Sequence, residues 1–236
     1  VCTWDAWLAT IEQGAVSPAG AAPLRHRAIQ FMFDPQSFVN IWTEFEVAHV
    51  FALQAYGFDY GDYGTSSLVR DRFDAVRNYS SIAFVQEDGL AHGTPKPIID
   101  WPRSDYIDID ASQANMCNDA CAPMNTHVAT AVASLAEMAH YLGLVADAAN
   151  YSATARGVAA AMGRAFAAAG EACDPPSPAC FLDNPVQPPA GGSGGDGRGG
   201  EVAPGSTVQS SLFPLSLPKP LLAKLREAAA PGFGAF

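Results

Sequence analysis

The sequence is short of charge, and shortest of positive charge. Charged residues make up 16% of its 236 positions, and 13 Lys and Arg stand against 24 Asp and Glu, giving a formal net charge of −11. A chain of that sign repels phosphate backbones, so no nucleic-acid partner is expected. No apolar run approaches the ~20 residues that a bilayer-spanning helix needs, so no membrane partner is expected either. The opening from Val1 to Leu8 contains Trp4 and Asp5. It lacks the basic start and apolar stretch of a signal peptide. With no initiating Met at its head, the chain is expected to have its true start upstream.

Apolar residues are plentiful at 49%, which suffices for a sizeable buried core and speaks against general disorder. The five cysteines are Cys2, Cys117, Cys121, Cys173 and Cys180. Cys117/Cys121 and Cys173/Cys180 are each close in sequence. Two local disulfides in an oxidising compartment is one reading, and free buried thiols is another. A four-Cys zinc site is a third, although neither spacing is the CxxC of common zinc modules. No metal or cofactor is expected. Two short glycosylation sequons begin at Asn78 and Asn150, and the pattern is common by chance.

Along the chain, the first 35 residues read as a loop rich in Ala, Pro and Gly, with one short helix around Trp4 to Glu12. Ser37 then caps a helix whose apolar positions Phe38, Ile41, Trp42, Phe45, Ala48, Ala52 and Ala55 recur at three- and four-residue steps, ending near Gly57. A second helix is expected from about Ser66 to Tyr79. Glu87 to Pro123 is non-helical, broken by Gly89, Gly93, Pro95, Pro97 and Pro102. Loops this long inside a compact domain are usually functional. Two strong helices follow, about Asn125 to Leu142 with Gly143 as C-terminal cap, and about Ala146 to Ala169, forming an antiparallel hairpin. A low-complexity Gly/Pro-rich loop occupies about 185–205. Ser206 and Gln209 have capping-box spacing, and a last helical piece runs from Pro220 to Ala229. The fold class is therefore all-α: helical hairpins with few strands and no fixed repeat period.

One stretch of the long loop has a chemical reading. Ile98-Ile-Asp-Trp-Pro102 is followed by Asp105, Tyr106, Asp108 and Asp110. Adjacent Asp100 and Trp101 suit a sugar, because a pyranose stacks its C–H face on an indole while a carboxylate accepts its hydroxyls. The bland reading makes Trp101 a packing residue and Asp108 and Asp110 solvated. A calcium loop would need a Gly and a distal Glu that are missing. Trp42 belongs to an apolar stripe, and Glu44 and Glu46 read as an exposed face. His49, His127 and His140 fall on helices without ligand spacing, and only His127 lies near the Asp-Trp loop.

The order of these pieces resembles a known family. A helix with Trp42 leads to Tyr56-Gly-Phe-Asp, then to Glu87-Asp-Gly-Leu90 and Ile99-Asp-Trp-Pro102. Next come Asn125, a helix ending Leu135-Ala-Glu-Met-Ala-His-Tyr-Leu-Gly143, another opened by Asp147-Ala-Ala-Asn-Tyr151, and finally Thr207-Val-Gln-Ser-Ser-Leu212. Over about residues 36 to 228 this resembles the middle of the (α/α)6 barrel of glycoside hydrolase family 78, the α-L-rhamnosidases. The resemblance implies a six-hairpin glycosidase barrel, incomplete here because about six or seven helices are legible where twelve are needed. The whole of 1–236 then reads as one partial catalytic domain.

It also implies inverting hydrolysis of terminal α-L-rhamnosyl groups, with a rhamnose-containing glycoside or polysaccharide as partner. The acid motif that the family places upstream of the Trp42-type helix is not found in Val1 to Gln36, so both catalytic carboxyl groups are expected outside this chain. Asp100 and Trp101 carry over as walls of the sugar subsite, and Asn125 as a substrate-binding candidate at the helix start. Two other readings stand beside this one: another six-hairpin glycosidase, trehalase- or glucoamylase-like, and a non-catalytic helical interaction module.

Overall fold

The computed structural model describes residues 18–33, 43–79, 84–92, 120–170, 177–181 and 219–228. Its helices are α1 (Pro18–Met32), α2 (Thr43–Tyr60), α3 (Leu68–Tyr79), α4 (Ala122–Tyr141), α5 (Val145–Phe166) and α6 (Lys219–Ala228). One short antiparallel hairpin, β1 (Ala167–Gly170) with β2 (Ser177–Phe181), pairs Ala167 with Phe181 and Ala168 with Cys180.

Helix α1 corrects the sequence expectation of a loop before residue 35. Pro18, Gly20 and Pro23 read as breakers, yet Pro18 is the first helical residue, where its missing N–H would have no partner anyway. Pro23 removes one backbone bond and is exposed. Arg25, Ile29, Met32 and Phe33 then fall on one buried stripe. The short helix expected around Trp4 to Glu12 lies outside the described residues, as does the cap at Ser37.

α2 starts at Thr43 and runs past Gly57, where the sequence suggested it would stop. Gly57 is a close-approach point, since a Cβ there would lie 2.8 Å from the Tyr63 ring. The helix ends instead at Gly61, whose φ of +61° favours glycine. Ser67 caps α3, its Oγ accepting the Arg70 N–H at 3.1 Å. α4 begins one turn earlier than expected because Pro123 sits in its first turn. Gly143 at φ +78° ends it as foreseen. The Leu144 N–H donates to Ala139 O and the Gly143 N–H to His140 O, as in a Schellman cap. α5 stops at Phe166, short of the expected Ala169, because the chain turns extended at Ala167 and enters β1.

The contacts fix the topology. Arg25 pairs with Asp59, His26 with Tyr56 and His49 with Met32, so α1 and α2 are antiparallel. Phe51 meets His127, Gln54 donates to Glu137 at 2.7 Å, and Tyr63 stacks on Tyr141, so α2 and α4 run the same way. α4 is apolar on most sides, burying Val128, Ala129, Ala131, Val132, Leu135, Met138 and Ala139. α3 and α5 cover it from outside, with Phe73 edge-on to Tyr151 and Phe166 and Met162 fully buried. α6 packs on α5, burying Leu221. Inner helices (α2, α4) thus alternate with outer ones (α1, α3, α5), which is the layering of an (α/α) barrel.

Candidate functional site

That alternation sorts the connections. The short turns 61–67 and 142–144 lie at the end where α2 and α4 finish. The connections 34–42 and 80–121, and the β-hairpin after α5, all leave from the other end, where α2 and α4 begin. Loops held on a rigid helical frame are where binding residues concentrate. The segment carrying Asp100 and Trp101 joins the C-terminal end of α3 to the N-terminal end of α4, and so begins and finishes at that end. Asp100 and Trp101 themselves lie outside the described residues.

The described part of this end is built around residues 84–92. Val85 and Ala91 form an antiparallel bridge. The Gln86 N–H donates to Leu90 O at 2.8 Å and the His92 N–H to Phe84 O at 3.0 Å. The tip is closed by Gly89 at φ +86°. Asp88 accepts the Leu90 N–H at 2.9 Å and lies 2.8 Å from His92 Nε2. Although partial burial works against it, those hydrogen bonds and the His92 charge hold the Asp88 carboxyl below its ordinary range. The tip rests on α5, where a Cβ at Gly89 would lie 3.0 Å from that of Ala161.

In such a bridge the hydrogen bonds of the neighbouring residues close the hairpin, so the N–H and C=O of Ala91 face away from it. Asn125 takes both. Its Oδ1 accepts the Ala91 N–H at 2.7 Å, and its Nδ2 donates to Ala91 O at 3.3 Å and to Cys121 O at 3.0 Å. The side chain is wholly buried and acts as a fragment of backbone laid against the loop. The sugar-binding candidate of the sequence is here committed to main chain on every polar atom. Its neighbours Met124, Thr126 and His127 are buried too. His127 faces Phe51 edge-on at 6.4 Å, and burial pushes its pKa down to about 4, so it is neutral at physiological pH.

Cys121, at the start of α4, is disulfide-bonded. Of the readings that the sequence left open, the disulfide therefore holds for this residue. His49, which the sequence places on a helix without ligand spacing, is buried with its ring nitrogen 2.9 Å from Met32 O. At the opposite, short-loop end a surface groove of about 480 Å³ is lined by Ala136, Glu137, His140, Tyr141, Val145 and Ala148. Among the described residues no helix is long and apolar enough to cross a membrane.

Alternating inner and outer helices, with long connections gathered at one end, define a helical-hairpin barrel. The chain matches the model of the bacterial alpha-L-rhamnosidase 6 hairpin glycosidase domain over residues 4–182, and it belongs to that family. No curated protein matches the chain, and no solved structure does. The resemblance read from the sequence is thereby borne out at the level of family and (α/α)6 fold. The positions where Asp-Trp reads as a sugar platform lie inside the matched range.

Proposed function

We propose that this chain forms the rhamnoside-binding part of an α-L-rhamnosidase and serves the inverting hydrolysis of terminal α-L-rhamnosyl groups from a glycoside or polysaccharide. Membership of the rhamnosidase family over residues 4–182 carries this reading. The position of the Asp-Trp segment supports it, since that segment leads from α3 into the buried start of α4. In this reading Trp101 stacks on the apolar face of the sugar and Asp100 accepts its hydroxyls.

Inversion needs two carboxyl groups. One protonates the leaving glycosidic oxygen. The other takes a proton from a water that attacks the anomeric carbon from the opposite face, with the pair roughly 6.5–9.5 Å apart. We assign neither role within this chain. Asp88 is engaged by Leu90 and His92, which suits a structural carboxylate. The disulfide at Cys121 supports an oxidising, extracytoplasmic setting.

Incubation with an aryl α-L-rhamnoside, followed by proton NMR, tests the reading. Release of β-L-rhamnose before mutarotation is the expected result for an active chain. First release of the α anomer contradicts inversion, and absence of both turnover and rhamnose binding contradicts the whole reading.

A further inference from the structure

We infer that the groove at the short-loop end is a second carbohydrate-binding site for a neutral sugar unit, with Tyr141 as its stacking platform and Glu137 and His140 as its hydroxyl partners. That the sugar belongs to a rhamnose-containing polymer rests on the rhamnoside reading above.

The platform is built in layers. Gly57 has no side chain, and a Cβ there would lie 2.8 Å from the Tyr63 ring. Tyr63 fills that place and stacks on Tyr141, with ring centroids 4.8 Å apart and planes 30° apart. Tyr141 is therefore held by Tyr63 while 50% of it stays exposed, and it lines the groove. A ring fixed before the ligand arrives loses little conformational freedom on binding. Glu137 and His140 lie four and one residues before Tyr141 in α4 and line the same groove. Gln54 donates to one oxygen of the Glu137 carboxylate at 2.7 Å, which orients that group. His140 stands edge-on to Tyr141 with centroids 5.5 Å apart.

The lining decides the class of ligand. The groove of about 480 Å³ falls among small-molecule sites, which span roughly 300–1,000 Å³. Ala133, Ala136 and Ala148 supply small apolar walls. A pyranose offers a C–H face to the tyrosine and hydroxyls to the carboxylate and imidazole. A wholly apolar ligand would strip water from Glu137 and His140 and give nothing back. An acidic sugar would meet the Glu137 charge in a chain of net charge −11. A neutral sugar avoids both costs, and the methyl group of a 6-deoxy sugar suits the alanines. The groove lies at the opposite end of the helices from residues 84–92, so it holds a different sugar unit from any bound at the long connections.

The test titrates the whole chain with methyl α-L-rhamnoside and follows backbone amide shifts by NMR. Saturable shifts are expected at Glu137, His140, Tyr141 and Ala148. Tyr141→Ala should raise Kd at these positions roughly tenfold, while Tyr141→Phe, which keeps the stack, should stay within about twofold of the parent. D-galacturonate should leave the same amides unmoved. Should Tyr141→Ala fail to fold, Glu137→Ala carries the same expectation. An unchanged Kd in the folded variant, or galacturonate binding as well as the rhamnoside, overturns the inference. Shifts confined to residues 84–92 and the start of α4 also overturn it, and leave the rhamnoside reading standing. Shifts confined to the groove uphold the inference and count against that reading. A chain that shows no shifts at all contradicts both.

Discussion

The side-chain amide of Asn125 pairs with the main chain of Ala91 through both of its polar ends, across 34 residues of sequence. The pair is buried, so neither partner has water to turn to when the other is removed. Asn125→Ala leaves an unsatisfied N–H and two under-satisfied carbonyls and is expected to destabilise the fold by about 2–4 kcal/mol. Urea denaturation measures it, and a loss under 0.5 kcal/mol would show that the amide is not coupled to the loop.

Gly89 and Gly61 both have positive φ, but only one is crowded. At Gly61 a Cβ meets nothing within 4 Å, whereas at Gly89 it would lie 3.0 Å from Ala161 Cβ and 3.5 Å from Gly157 O. Gly61→Ala is expected to cost about 1 kcal/mol in backbone strain alone. Gly89→Ala should exceed it by a further ~1 kcal/mol or more, because residues 84–92 must lift off α5. Equal shifts in Tm for the two variants would contradict the contact of the loop with α5.

Stability should depend on pH through His127. Its folded pKa is about 4 because burial disfavours the charged ring, against about 6.5 in the unfolded chain. The folded state resists a proton that the unfolded state accepts. The contribution is therefore fully present above pH 6.5, falls as pH drops from 6.5 to about 4, and levels off below. The total is on the order of 3 kcal/mol. Replacement by Gln should flatten the His127 part of the profile between pH 6.5 and 4. A parent profile identical to that of His127→Gln would contradict neutral burial.

Reduction of the disulfide at Cys121 is expected to lower stability by about 2–5 kcal/mol, chiefly by freeing the unfolded chain. Thermal melts with and without a dithiol reductant measure this, and non-reducing peptide mapping identifies the partner cysteine. Coincident melts would contradict a native disulfide at this position.

Helices α4, α5 and α6 and the cap at Gly143 were legible in the sequence because their apolar residues recur at helical spacing and Gly ends the run. Helix α1 was hidden because Pro18, Gly20 and Pro23 carry the local signal of a loop, while tertiary burial of Ile29, Met32 and Phe33 outweighs it. Gly57 reads as a terminator in the sequence, whereas the fold uses its missing side chain to seat Tyr63. Local pattern does not separate these two uses of glycine. Asn125 reads in the sequence as a substrate-binding candidate among the polar side chains at a helix start, and a buried amide must have partners. That those partners are Ala91 and Cys121 depends on a long-range contact that no periodicity encodes. The family was legible from the order of weak motifs rather than from any one of them.

The central claim, that the start of α4 and its long connection serve a rhamnose subsite, is tested most directly by titrating the folded chain with L-rhamnose while following Trp fluorescence, beside Trp101→Ala. The account predicts a saturable change in the parent that is abolished in the variant. A folded parent that shows no saturable change, or a variant that responds as the parent does, would contradict it.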